Sequence, residues 1–236
     1  MRCQKKVISQ RRLTRKTDTE DNADITFAGN LTATTLATAG ESYDVVMQGS
    51  SNPITNDMTF AAIRNLDIGN GAADSSTFTG GLDTTSVTGT VSLAGSVITT
   101  DTRMDIGAAT LAAATTLDTG NAAAGILNVG AVTSGNNALT LDSGSTAGAT
   151  IALTSFAAGS GGLTIRDAGG LATIGAVGAT NQGAVTITDS TAGVTFSSTV
   201  QATTLAITNT TAGETITFNG DVTVATLTTT ANQYNM

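Results

Sequence analysis

Residues 215–236 read TITFNGDVTVATLTTTANQYNM, and residues 24–45 read DITFAGNLTATTLATAGESYDV. Laid side by side without a gap, the two phrases share nine identical positions at a constant offset of 191 residues. Chance aligns threonines easily in such a chain. It does not easily align Phe27 with Phe218, Gly29 with Gly220 and Tyr43 with Tyr234 when there are six Phe and two Tyr in all. Internal repetition at this level is the mark of a repeat architecture. It predicts one unit of about 191 residues with the start of a second from Thr215, together spanning 24–236.

Working outward, a shorter motif recurs inside the long one. Phe is followed by an aliphatic residue four positions on, then by Thr or Ser and another aliphatic at the eighth and ninth. The copies are Phe27, Leu31, Thr35 and Leu36; Phe78, Leu82, Ser86 and Val87; Phe196, Val200, Thr204 and Leu205; and Phe218, Val222, Thr226 and Leu227. Around them run short phrases such as ALTL (138–141), TIAL (150–153), GLTI (162–165), LATI (171–174), AVTI (184–187) and TLAI (204–207). Each alternates small or polar with aliphatic, the period of a half-buried strand. Thr, Val and Ile favour that state because β-branched side chains fit a pleated surface. The Ala-rich stretch AATLAAATTL (108–117) is read as strand too, because its Thr content and its place in the rhythm outweigh alanine's helical preference. Connectors such as DSGSTAGA, RDAGG and TDSTAG supply Gly, Asn and Asp for turns.

Short, evenly spaced strands allow a β-sandwich or a solenoid. The chain has no Trp, 3% aromatic residues and near-equivalent repeats. A stack of thin layers of small aliphatic side chains suits that composition better than one thick core. The fold expected is all-β, a parallel β-solenoid, with a sandwich or a trimeric fibre stalk as alternatives.

Charge divides the chain in two. Residues 1–16 hold seven of the ten basic groups, while the rest has only Arg64, Arg103 and Arg166 against all 18 carboxylates. Residues 1–23 are therefore read as a basic, disordered leader outside the repeats. Nucleic-acid binding by the acidic body is not expected, since phosphate recognition needs clustered Lys or Arg. No apolar run of 18 residues predicts membrane insertion. The leader lacks the apolar core of a signal peptide, so any export signal lies outside this segment. Cys3 is the one cysteine, which removes an intrachain disulfide.

The phrases ITFNGDVTVATLTTTANQYN (216–235), DSSTFTGGLDTTSVTGTVSLAGSV (74–97) and LTLDSGSTAGATIAL (139–153) resemble the repeats of large bacterial surface proteins of the filamentous-haemagglutinin and autotransporter-adhesin kind. The resemblance covers about residues 24–236 and is one of pattern. It implies a right-handed β-helical stalk, an extracellular or cell-surface location, and an adhesive or matrix-building role. Self-association with further copies or with other surface components is the partner it implies. Unpaired strand edges at the two ends of a rod point the same way.

Chemistry is sparse. Without His, a Ser–His nucleophile and most zinc sites are excluded. Paired carboxylates of a polysaccharide-cleaving β-helix remain conceivable. The nearest pair is Asp101 and Asp105 beside Arg103, which reads as a solvated turn. Calcium is the one cofactor that turn carboxylates could take, but the nonapeptide of calcium β-rolls is missing and Asp142, Asp189 and Asp221 read as turn caps. No catalytic, cofactor or metal residue is assigned, and the chain is read as non-enzymatic. Thr-x-Thr phrases raise ice binding as an alternative function, which the drift of threonines in sequence from coil to coil argues against. A phage-tail-fibre-like trimeric stalk is a further alternative.

Overall fold

A computed structural model describes residues 24–40, 42–157, 159–178 and 183–230. The basic leader predicted at 1–23 and the second aligned tyrosine, Tyr234, lie outside the described residues. The described chain is all-β, with twenty short strands and no helix, and every pairing among them is parallel. Antiparallel hairpins, on which a sandwich is built, do not occur among them. The strands stack into a β-solenoid of about 9 turns. At the ~4.8 Å spacing of paired strands this is a rod roughly 43 Å long.

Each turn contributes to three walls. The inward line of the first wall runs Ile25, Val45, Leu66, Val91, Ala109, Val132, Phe156, Val177, Val200 and Val222. In the second it runs Asn52, Ser76, Val97, Leu117, Leu141, Ile165, Ile187 and Ile207. In the third it runs Met58, Leu82, Met104, Leu127, Ile151, Ala172, Val194 and Ile216. These lines converge on one continuous buried core from Leu31 to Ile216. Where the second wall begins with polar residues, they satisfy each other. The Asn52 amide donates to Ser76 Oγ and to the Gly49 carbonyl, and its oxygen accepts from the Leu31 N–H. Each phrase read as a strand lies wholly or largely within one, including the Ala-rich stretch, which forms Ala109–Asp118.

The phenylalanine motif is a corner. Phe27 closes a strand of the first wall, Phe78 one of the second, and Phe196 and Phe218 strands of the third. In the last three copies the aliphatic residue four positions later opens the next wall, as Leu82, Val200 and Val222. The same chemistry thus serves at any of the three corners. It also explains where the two aligned phrases lie: Ile25 sits in the first wall and Ile216 in the third. A spacing of 191 residues is not a whole number of turns.

Turn length varies from 18 residues, between Val91 and Ala109, to 25, between Leu66 and Val91. Loops and bends absorb the difference while the walls stay in register. One such bend sits at Gly95 (φ 74°), where the strand Val91–Thr99 crosses from the first wall to the second. A Cβ there would meet the Asp74 carbonyl oxygen at 2.2 Å, so only glycine fits.

Candidate functional site

Side chains that point outward from the walls form vertical rows, and these rows are the surfaces on which function can rest. On the second wall the row reads Ser51, Ser75, Ser96, Thr116, Thr140, Thr164, Thr186, Ala206 and Thr228. Eight of these nine in-register positions carry a hydroxyl, repeating at the ~4.8 Å strand spacing. In sequence the same residues are 20 to 24 apart, which made them look irregular. The drift belongs to the loops and not to this row.

Beside it runs a charged row. Asp118 pairs in register with Asp142, and the next turn offers Arg166 and then Asp167. A β-bulge between turns makes Arg166 the extra residue, since Leu141 pairs with Ile165 but Asp142 with Asp167. The bulge aims the guanidinium back along the stack. Arg166 Nε donates to Asp142 Oδ2, and its Nη2 to Asp118 Oδ2 at 2.9 Å, tying three turns together. Asp167 is left between Asp142 and Asp189. Burial and these two like charges raise its pKa above the ordinary carboxylate value of 3.8, against the Ala168 N–H and Arg166, which lower it. Its Oδ1 is buried and has no hydrogen-bond partner.

Two further clusters follow the same scheme. Arg64 donates to Asp44 through Nε and Nη2, both at 2.7 Å, and reaches Asp24 at 3.5 Å. The bonds from Arg64, with two from Asn65 through its side-chain amide and its backbone N–H, outweigh burial and hold the Asp44 carboxyl below its usual value. Asp67 next to it is pushed up by burial and then by Asp44 and Asp24. In the third wall, Asp105 accepts from Arg103 Nε and from Asn128 Nδ2 at 2.8 Å. Burial pushes Asp105 up, but those two bonds prevail and hold it low.

The pair singled out from sequence, Asp101 and Asp105, is therefore engaged in structural bonds. Asp101 stands in a turn (φ 58°) and its Oδ1 accepts from the Asn121 N–H at 2.8 Å. Asp142 and Asp189 do cap turns, accepting from Gly144 N and Ser190 N. For Asp142 that is half of its role, because it also holds Arg166. No group of three or more His, Cys, Asp or Glu among the described residues could hold a metal ion. No helix there is long and apolar enough to cross a membrane.

A second internal row escaped the sequence reading. Thr99, Thr119, Ser143 and Ser190 are buried at the corner between the second and third walls. Their hydroxyls donate to the carbonyls of Thr102, Gly125, Ala149 and Gly193 at 2.6 to 2.9 Å. Each pins the loop that leaves that corner. Thr210 repeats the position, but its Oγ1 has no partner. The signal was present as the phrases Asp118-Thr119, Asp142-Ser143, Asp167-Ala168, Asp189-Ser190 and Asn209-Thr210.

No family model matches this chain, and neither a curated protein nor a solved structure matches it.

Proposed function

We propose that the chain is a non-enzymatic structural rod of a bacterial cell surface or extracellular matrix, which assembles end to end. The observation that carries this reading is how its charge is used. Arg64, Arg103 and Arg166 each hold carboxylates in place, and two of the three tie successive turns together. Asp24, Asp44, Asp105, Asp118 and Asp142 are taken up in these pairs. An adhesive role rests on the resemblance of the repeats to surface adhesins. Immunogold labelling of producing cells is expected to mark the outer surface; label confined to the cell interior overturns the location.

End-to-end growth rests on the strand edges. Among the described residues, the strand Val222–Thr229 has Val222 40% and Leu227 52% exposed, unlike their buried counterparts in the preceding turn, Val200 and Leu205. A second copy placing Asp24–Phe27 above Val222 continues the first wall with the same parallel pairing. Sedimentation is expected to show concentration-dependent linear species, and L227K is expected to abolish them. One monodisperse species at every concentration, the same for both proteins, overturns self-assembly. Millimolar calcium is expected to leave the unfolding midpoint unchanged, and a marked rise shows a calcium role.

A second reading, ice binding, is favoured by the hydroxyl row from Ser51 to Thr228. A regular row of hydroxyls on a rigid wall can order water in a repeat set by the backbone. Thermal hysteresis that disappears in T140K/T164K supports it; no hysteresis at millimolar protein ends it.

A further inference from the structure

We propose that Asp167 is an acid-responsive clamp in the rod, and that taking up a proton there tightens the packing of three neighbouring turns. The geometry carries the argument. One oxygen of this carboxyl is buried with no hydrogen-bond partner. The groups facing it are Asp142 from the preceding turn, Asp189 from the following turn, and Arg166 and the Ala168 N–H from its own. Arg166 offers it little compensation, because its guanidinium is turned away to Asp142 and Asp118. Asp189 is held in place by Ser190 N–H and Asn209 Nδ2 and cannot move aside without losing both bonds.

As an anion, Asp167 places a like charge between two others and leaves a buried acceptor unsatisfied, which costs stability. As a neutral carboxyl it removes the repulsion. Its folded pKa is raised, so the ionised form weakens the fold at neutral pH. That weakening is relieved as pH falls through the raised value, and the gain ends near 3.8, where the unfolded chain is protonated as well. Below that point Asp44 and Asp105, whose folded values are depressed, lose their ties and the fold weakens again. The rod is firmest in mild acid. A surface structure with this property stiffens where its surroundings acidify.

The test is thermal unfolding of the full chain at a series of pH values. The midpoint of the unaltered protein is expected to rise on going from neutral to mildly acidic pH. D167N is expected to raise the neutral-pH midpoint by ~2–4 °C, the shift of about 1 kcal/mol in a chain of this size, and to flatten the pH response. The exposed-turn control D221N keeps the full response. Should D167N misfold, D189N removes one like charge and is expected to move the response to lower pH. Direct titration of the Asp167 carboxyl by NMR is expected to give a midpoint above the ordinary carboxylate value of 3.8. A response unchanged in D167N and in D189N, or an Asp167 titration at the ordinary value, overturns the proposal.

Discussion

A buried hydroxyl is worth keeping only while its hydrogen bond is made. At the corner between the second and third walls, Thr119 donates to the Gly125 carbonyl at 2.6 Å, whereas the equivalent Thr210 hydroxyl has no partner. Valine has the same shape without the hydroxyl. T119V is therefore expected to cost about 1–3 kcal/mol, because the Gly125 carbonyl loses its donor at a buried corner. T210V is expected to be neutral or stabilising. Denaturant midpoints of the two variants check this, and equal losses would show that the hydroxyl bonds do not hold the corner. Both substitutions fall on a position that reads as a plain turn threonine. The bonded copy follows Asp118 and the unbonded one Asn209, but neither phrase says where the loop carbonyl stands.

At the scale of an element, one inserted residue changes what a strand can do. Turns ending Leu117-Asp118 and Leu141-Asp142 are followed by turns ending Ile165-Arg166-Asp167, Ile187-Thr188-Asp189 and Ile207-Thr208-Asn209. In the first of these the insertion is a bulge that puts a guanidinium over two carboxylates. R166M removes the cation and leaves Asp118 and Asp142 facing each other in register. The side chain is 46% exposed, so solvent screens the pair and the expected loss is at most about 1 kcal/mol. That loss should shrink in high salt, as read from the midpoint of R166M against the unaltered chain. A salt-independent loss would assign the effect to packing of the arginine stem. The phenylalanine motif works at this scale too. Its spacing was legible because each copy closes one wall with Phe, and in three of the four the aliphatic residue four positions on opens the next. Which corner it serves was not, because all three accept it.

For the whole molecule, the stack is close to one-dimensional, each turn resting on its two neighbours. Sequence from residue 17 on sets 18 carboxylates against three arginines, so repulsion accumulates along the rod. Raising salt from about 0.01 M to about 1 M shortens the Debye length from about 30 Å to about 3 Å. The unfolding midpoint is expected to rise by ~2–4 °C over that range. A fall would mean that the arginine ties outweigh the repulsion.

Strand, turn and face were settled by the sequence itself, because alternation of Thr with Val, Leu and Ile fixes which side chains are buried in any strand that forms. So was the absence of histidine- and thiol-based chemistry from the body. The solenoid could be anticipated from the repeats and the lack of large aromatics. Register, in contrast, belongs to the tertiary structure. Loops of unequal length make partners 18 to 25 residues apart, and only stacking decides which residue stands on which. The even hydroxyl row, the reach of Arg166 across three turns and the isolation of the Asp167 oxygen all follow from that register. For the same reason the 191-residue likeness joins different walls: local chemistry repeats at every corner, while position along the rod is counted in whole turns.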